Sequence, residues 1–500
     1  MDSEKDKILF WLENHAVHFG IAKSFCDDFD CEPYGMIACT PKQNKFFSEQ
    51  NLINFKKFWL VREHINLKSR NPDYEKLKFF EQKYSLNLHQ LVYADRSFYK
   101  YNYYHKFSSE EIFSIVEQEL VLYENILDEI KPDFVIMRTP EFQDIDIFYE
   151  MCKAKKIPVL LLTTARMGNR HKITSDPSSP VLFDRSNTNI KIRDFVSLKN
   201  YVDDFSKAHK QFLEDAQVKK NNKLNVLKLL FSTYNSSNIN SYRDLGRTPF
   251  NTITKGISLS IRSRIRKSFL DKNTERSVKS KHSFAYFPLH MEPERSLLRK
   301  AQYHANQINV IKNVAQSLPV EMDLLVKEHP SMQLIGWQEI KFYKEIMSLP
   351  KVKLIHPHVP NSELIKNASL IIAIASTTAL EAAFFEKPSI VFSDVDCSTL
   401  SSVLKVNTLE ELPHLIKQGL TVKVNLVELN QFVNAVIESS FESDVLELQN
   451  KMSEIFGGGG YFIGNEISEL IMKDFIITHE KSFKILSDEH IKKIQEFKKI

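Results

Sequence analysis

Residues 324–330 read Leu-Leu-Val-Lys-Glu-His-Pro, and residues 369–382 read Ser-Leu-Ile-Ile-Ala-Ile-Ala-Ser-Thr-Thr-Ala-Leu-Glu-Ala. Each segment begins with an apolar run, which predicts a strand, and continues into a polar turn with groups that bind phosphate. The carboxyl ends of parallel strands lie along one edge of a sheet, where ligands bind. The two turns therefore predict a cleft that holds the phosphate of a nucleotide.

Strands and helices alternate on both sides of these segments, which predicts an α/β fold with parallel sheets. In the first part of the chain the apolar patterns predict strands at 7–13, 34–38, 58–61, 134–137 and 159–162, and helices at 108–130 and 144–155. In the second part they predict strands at 284–287, 323–326, 352–355, 370–374 and 389–392, and helices at 303–317, 338–347, 361–367, 377–385, 409–418 and 430–439. From about 165 to 280 the pattern is weaker, with a helix predicted over 194–230.

Composition is that of a soluble protein with several buried cores. The chain has 500 residues, 43% of them hydrophobic and 26% charged, which fits two large domains or three small ones. A net charge of +4 does not mark a nucleic-acid binder. The start of the chain reads Met-Asp-Ser-Glu-Lys-Asp-Lys, unlike a signal peptide, so a cytoplasmic location is predicted.

The five cysteines indicate a reducing compartment. They contain no Cys-x-x-Cys pair, so neither a zinc knuckle nor a disulfide framework is predicted. These cysteines are Cys26, Cys31, Cys39, Cys152 and Cys397.

Ser376, Thr377 and Thr378 follow an apolar strand and open a helix. The first N–H groups of a helix lack internal partners and carry partial positive charge, so this turn is a candidate phosphate site. The alternative is a helix cap, because Thr378-x-x-Glu381 fits the capping-box pattern.

The strand predicted at 323–326 is followed directly by Lys327, and then by His329 and Pro330. A lysine and a histidine there can neutralise the charge of a departing phosphate, while proline stops the strand. The alternative is an ordinary strand end, since a second His-Pro pair, His356-Pro357, follows the next strand.

These segments, taken together, resemble bacterial capsule and surface-polysaccharide biosynthesis proteins, which are glycosyltransferases of the GT-B fold. Some relatives, including Kdo- and sialic-acid transferases, share a His-Pro motif and a Ser/Thr motif for the nucleotide phosphate. The chain departs from the family in having Glu386 before Lys-Pro and Ala375 before the Ser/Thr run, where glycine is usual. The resemblance is carried by residues 287–294, 307, 325–330, 350–354, 362–365, 375–382 and 386–388.

The resemblance implies two Rossmann-like domains that face a central cleft. The predicted divisions are an N-terminal acceptor domain (1–165), a helical, basic connecting region (166–280), a nucleotide-binding domain (281–425) and C-terminal helices (426–500). It also implies a nucleotide-sugar donor, CMP- or UDP-linked, a glycan or lipid-linked acceptor, and no metal or other cofactor.

The resemblance also implies roles for individual residues in binding the donor. His329 would contact the donor phosphate and act in catalysis, with Pro330 shaping its turn, and Lys327 would be a cation for the leaving group. Ser376, Thr377 and Thr378 would bind the same phosphate. Glu381 is a candidate for a ribose hydroxyl, and Glu292 and Glu294 would face the donor from another loop, unless that loop is simply solvated.

Transfer to an acceptor also needs a base or nucleophile from the N-terminal domain. The candidates are His15, His18, Asp95, Glu141 and Asp144, and the sequence does not decide among them. Asp144-Ile-Asp146 has the spacing of a metal motif, but acidic residues at a helix start explain it better.

The segment 255–281 has nine Lys or Arg and two acidic residues. Isoleucines or phenylalanine recur every fourth residue from Ile253 to Phe269. This pattern predicts either a peripheral contact with the inner face of the cell membrane or a solvated basic linker.

Three functions follow from this reading. The first is a glycosyltransferase that acts on a surface polysaccharide or lipid-linked glycan. The alternatives are a transferase that moves a polyol phosphate from a CDP-alcohol, and a GT-B scaffold without catalysis.

Overall fold

The computed structural model describes residues 5–12, 16–39, 41–66, 71–100, 104–187, 189–201, 242, 245–246, 248–278, 283–456 and 467–499. These residues form two α/β domains, each built on one sheet. His15, a candidate base, and residues 202–230 of the predicted helix 194–230 lie outside the described residues.

The N-terminal sheet has seven strands. They are β1 (Asp6–Leu12), β2 (Cys31–Ile37), β3 (Lys57–Leu60), β4 (Phe134–Arg138), β5 (Val159–Thr164), β6 (Arg170–Thr174) and β13 (Phe441–Glu442). Strands β3-β2-β1-β4-β5 are parallel and in that spatial order. Beyond β5 the sheet continues with β6 and β13, each antiparallel to its neighbour.

The C-terminal sheet has six strands, all parallel. They are β7 (Phe284–Pro288), β8 (Asp323–Lys327), β9 (Val352–Ile355), β10 (Leu370–Ala373), β11 (Ser389–Val391) and β12 (Val403–Lys405). The spatial order β9-β8-β7-β10-β11-β12 is that of a Rossmann fold. Successive strands are added toward one edge of the sheet from β7 to β9, and toward the other edge from β10 to β12. This change in the order of strands places a crevice at the carboxyl ends of β7 and β10.

Helices cover both sheets. In the N-terminal part they are α1 (Ala16–Asp28), α2 (Pro41–Glu49), α3 (Tyr74–Tyr84), α4 (Leu88–Tyr93), α5 (Arg96–Tyr99), α6 (Ser109–Ile130) and α7 (Gln143–Ala154). The basic segment forms α8 (Pro249–Asn273). The remainder are α9 (Gln307–Ser317), α10 (Met332–Ile335), α11 (Ile340–Met347), α12 (Asn361–Asn367), α13 (Thr378–Phe384), α14 (Leu412–Gly419), α15 (Leu426–Glu438), α16 (Val445–Phe456), α17 (Glu469–Thr478) and α18 (Glu480–Phe497).

Strand β8 shows why continuous apolar runs form the centre of the sheet. All five of its residues are buried. Leu324 and Val326 face one core and Leu325 faces the other, because successive side chains of a strand point to opposite faces. A strand covered on both faces needs apolar residues without alternation, as parallel sheets usually show.

The end of the chain is shared between the domains. Helix α15 packs on the C-terminal core through Phe432 and Val433. The chain then returns to the N-terminal sheet, where Phe441 pairs with His171 of β6. Helices α16, α17 and α18 complete an N-terminal core, and Phe483 of α18 packs in it.

The two sheets and their mainly parallel strands confirm the predicted fold class, and each predicted strand is present. The helix predicted at 108–130 is also confirmed, with Ser108 and Glu111 forming a capping box. The sequence reading did not predict α1. It also missed β6 and β13, whose pairing joins segments far apart in sequence.

Candidate active site between two sheets

The loops after β7 and β10 meet at the crevice of the C-terminal sheet. The buried His290, which follows β7, accepts a hydrogen bond through Nε2 from the backbone N–H of Ala375 at 3.1 Å. Ala375 directly precedes the predicted Ser376–Thr378 phosphate motif. The motif is therefore held at the place where ligands bind in open α/β sheets.

Ser376 and Thr377 are half-buried at the start of α13, and Thr378 is buried. The Ser376 hydroxyl accepts from the Thr378 N–H at 3.2 Å and lies 3.0 Å from the Thr378 hydroxyl. Thr378 is the first residue of the helix rather than its cap. The predicted capping box between Thr378 and Glu381 is therefore wrong, and Glu381 instead bonds the Thr377 side chain.

His329 stands in the turn after β8, the strand next to β7. Its Nδ1 accepts a hydrogen bond from the Ser331 N–H at 3.2 Å. In the neutral ring the proton is then on Nε2, which makes that nitrogen a donor. Pro330 forms the turn between these two residues, as predicted.

Glu328 lies beneath this turn and fixes its backbone. Its carboxylate accepts from the His329 N–H at 2.7 Å and from the Tyr343 hydroxyl at 2.7 Å. The side chain is fully buried, and burial raises the pKa of Glu328 to about 8. Sequence reading assigned no role to Glu328, because a glutamate before His-Pro gives no signal of burial.

Lys327 points away from the turn into a buried polar network. Its ammonium donates to the Asn361 side-chain oxygen, which also accepts from the Tyr286 hydroxyl at 3.1 Å. Burial lowers the pKa of Lys327 to about 8, an effect that nearby Glu381 opposes. Burial likewise raises the pKa of Glu381 to about 7, with Lys327 opposing the shift. This network supports the Thr377 turn from below.

The two predicted acids of the loop after β7 have different surroundings. The Oε2 atom of Glu294 lies 3.7 Å from the Nδ1 atom of His290. Burial favours its neutral form, but His290, His329 and Arg166 together hold the pKa of Glu294 below its ordinary value. Glu292 turns the other way and accepts from Gln307 at 2.8 Å and Gln338 at 3.2 Å. Glu294 is therefore the acid that connects the His329 turn to the Ala375 turn.

A cavity of about 750 Å³ lies between the two domains. Residues after β4 and β5 line one side, and residues after β7 and β11, including Glu294 and Asp396, line the other. Both sheets thus contribute the loops at their carboxyl ends. Within the described part of the chain, neither His329 nor Ser376–Thr378 lines this cavity, and Glu294 is the predicted donor-side residue that does.

Glu141 lines the cavity from the N-terminal side. Its carboxylate forms ion pairs with the guanidinium groups of Arg96 and Arg138, each at an N···O distance of 3.0 Å. Of the three predicted N-terminal carboxylates, Glu141 is the one on the cavity wall. His18, a buried residue of α1, lines it as well.

Asp95 does not face the cavity. It is fully buried, caps α5 through the Ser97 N–H, and accepts from the Gln143 N–H at 2.9 Å. This geometry makes Asp95 a helix cap, and its role as a base stays a prediction. Asp144 is also buried at the start of α7, and Asp146 pairs with Arg299 at 3.1 Å. Across the described residues there is no group of three or more His, Cys, Asp or Glu side chains arranged to hold a metal.

Two α/β sheets with a cleft between their carboxyl edges define the GT-B type of architecture that the resemblance implied. Residues 182–394 match the family model described as capsule polysaccharide biosynthesis protein. Over these residues the predicted resemblance is confirmed, and the match supports a glycosyltransferase of surface-polysaccharide synthesis. No curated protein matches the chain significantly.

Solved structures similar to the chain include an epimerase and a transferase. UDP-GlcNAc 2-epimerase from Methanocaldococcus jannaschii, in complex with UDP-GlcNAc and UDP, is 12% identical, with 86% of this chain and 99% of that chain covered and a TM-score of 0.28. The KpsC β Kdo 2,7 transferase of Thermosulfurimonas dismutans is 11% identical, with 75% and 92% covered and a TM-score of 0.32. TM-scores this low support no conclusion about the present chain.

Proposed function

We propose that the protein transfers a sugar from a nucleotide-sugar donor to a glycan acceptor in surface-polysaccharide synthesis. The donor phosphate would lie at the crevice between β7 and β10, and the acceptor would enter from the N-terminal side of the cleft. The observation that carries the proposal is the hydrogen bond between His290 and Ala375, which brings the loops of the crevice together.

His329 and the hydroxyls of Ser376 and Thr377 would act on the departing phosphate. Negative charge develops on that phosphate as the glycosidic bond breaks, and fixed donors stabilise it in the transition state. The bond from Ser331 to Nδ1 orients the ring so that Nε2–H is the donor. We expect the reaction to proceed without an added metal, and activity in the presence of a chelator tests this.

Glu141 is the proposed base, because it is the predicted carboxylate on the cavity wall. Arg96 and Arg138 hold its carboxylate in place. Replacing Glu141 with Gln would keep the size of the side chain and remove its proton acceptor, so turnover should fall while nucleotide affinity stays the same.

A nucleotide screen tests the proposed donor site. Calorimetry with CMP, CDP, UDP and GDP should show one nucleotide that binds and stabilises the fold. Its affinity should fall in His329→Ala and in the Ser376→Ala, Thr377→Ala double variant. If none of the four binds, the donor site is refuted. Release of CMP with transfer of a phosphate would instead indicate the CDP-alcohol reaction.

We also propose that α8 contacts an anionic membrane surface. The helix exposes Phe250, Ile253, Ile257, Ile261 and Ile265, each at least 45% accessible. The opposite face packs on the C-terminal domain through Leu270 and the Arg266 bonds to Gly336 and Trp337. Residues 249–270 include five Lys or Arg and no acidic residue, a composition suited to anionic lipid.

Vesicle sedimentation tests this contact. The protein should bind phosphatidylglycerol vesicles and not phosphatidylcholine vesicles, and salt should weaken binding. The Ile257→Glu, Ile261→Glu double variant should lose binding, whereas Val320→Glu, at a more exposed apolar site elsewhere, should keep it. Equal binding by both variants would refute the contact. Among the described residues, no helix is apolar and long enough to cross a bilayer.

A further inference from the structure

Besides Arg96 and Arg138, which bind Glu141, four cationic side chains line the cavity between the domains. Arg166 and Lys172 come from the N-terminal side, after β5 and within β6, while Arg295 and Lys300 come from the loop after β7. Sequence reading singled out none of them, since they are scattered over more than a hundred residues and share no spacing. They form a cluster only because the carboxyl edges of the two sheets face each other.

Arg295 and Arg299 lie close together in the chain but differ in their hydrogen-bond partners. Arg299 binds Asp146 at 3.1 Å and Glu150 at 2.8 Å, so it holds the loop against α7. Arg295, one turn earlier, has a buried Nε without a hydrogen-bond partner among the described residues. A buried donor left unpaired costs roughly 1–3 kcal/mol, which a bound anion would remove.

Like charges in the cluster act on one another. Burial, together with Arg166, Arg295 and Lys172, lowers the pKa of Lys300 to about 8, and Asp396 opposes this shift. The Lys300 ammonium has one described partner, the Pro177 carbonyl at 3.1 Å. A protein that holds cations together in a partly enclosed site gains from an anion that binds between them.

The carboxylates nearby do not balance these cations. Asp396, Asp444 and Glu447 line the same cavity. Glu294 lies near Arg166 but is engaged with His290. Glu141 is held by Arg96 and Arg138. The described lining thus has six Lys or Arg side chains and five carboxylates, which leaves one positive charge unbalanced.

We propose that Arg166, Lys172, Arg295 and Lys300 form an anion-binding subsite for a carboxylate or phosphate carried by the acceptor glycan. The inference rests on the proposed function, in which the N-terminal side of the cleft takes the acceptor. It is separate from the donor-phosphate residues, because the described residues that line the cavity include neither His329 nor Ser376. The protein would therefore extend an acidic glycan rather than a neutral one.

Saturation-transfer NMR with glucuronate as probe tests the subsite, with glucose as the neutral comparison. The wild-type protein should transfer saturation to glucuronate and much less to glucose, also when the nucleotide found by calorimetry is present in excess. In Arg295→Gln and Lys300→Gln the apparent affinity for glucuronate should fall by about tenfold, as expected for the loss of one charge-assisted hydrogen bond. The control Lys417→Gln removes the same charge from an exposed site on α14 and should bind as wild type.

Three results would overturn the inference: equal binding of glucose and glucuronate, unchanged binding in both cleft variants, or displacement of glucuronate by the nucleotide, which would assign the cluster to the donor. Nucleotide affinity is measured separately in each variant. A protein that binds glucuronate but none of the nucleotides would refute the proposed function and leave the subsite standing.

Discussion

His329 offers the sharpest test of the donor site, because the structure distinguishes its two ring nitrogens. Nδ1 accepts from the Ser331 N–H at 3.2 Å, so in the neutral ring the proton is on Nε2, the nitrogen proposed to donate to phosphate. A glutamine side chain can place an amide N–H near the position of Nε2, whereas an asparagine reaches only the position of Nδ1. His329→Gln should therefore retain part of the activity that His329→Asn and His329→Ala lose.

The size of the loss follows from the bond that is removed. A hydrogen bond to a charged group contributes about 1.5–3 kcal/mol. At 1.36 kcal/mol per factor of ten, its loss slows turnover by about tenfold to about 150-fold. Initial rates of nucleotide release measure the effect, and His358→Gln, the same substitution at an exposed histidine after β9, serves as control. If the asparagine variant were as active as wild type, or more active than the glutamine variant, the assigned role of Nε2 would be wrong.

Further predictions concern burial. Burial raises the pKa of Glu328 from 4.5 to about 8, so the native state binds this proton more tightly than the unfolded state does. The contribution of the protonated Glu328 to stability is therefore present below pH 4.5 and is lost as the pH rises to 8. In the wild-type protein the melting temperature should fall across that window, and Glu328→Gln should flatten this fall. If the melting temperature of the variant depended on pH as that of the wild type does, the raised pKa would be contradicted. Asp95→Ala should lower the free energy of unfolding by about 1–3 kcal/mol through its lost caps, with turnover per folded molecule unchanged. Loss of turnover without loss of stability would instead support the prediction that Asp95 is a base. Gly20→Ala should destabilise the protein by roughly 1–3 kcal/mol, because the new Cβ would lie 2.3 Å from the Phe483 ring. Gly256 lies in the exposed middle of α8, where an added Cβ would have no atom within 4 Å, so Gly256→Ala should instead stabilise the protein by about 0.5–1 kcal/mol. Chemical denaturation measures both variants, and equal stabilities would exclude the close packing of Gly20 on Phe483.

The sequence was sufficient for five of the six strands of the C-terminal sheet, whereas the short β12 was not predicted. Runs such as Leu370–Ala373 are apolar on both faces, and only a strand covered from both sides explains them. The pairing of Phe441 with His171 could not be found in the same way, because it depends on where the chain returns after α15. Local pattern carries no information about such distant pairs.

The candidate site was predictable to a lesser degree. His329 and Ser376 stand out because each follows an apolar strand, and that signal is local. Asp95 and Glu141 look alike in the sequence, yet one is a buried cap and the other lines the cavity. Burial decides between such residues, and burial depends on packing that no short motif records.

The return of the chain to its first domain bears on how the protein can be divided. A fragment that stops near residue 280 would lack Phe483 and its neighbours, and would leave the apolar side of α1 exposed to water. Such a half should aggregate when expressed alone. A usable N-terminal half would have to carry residues 441–497 grafted behind a new linker.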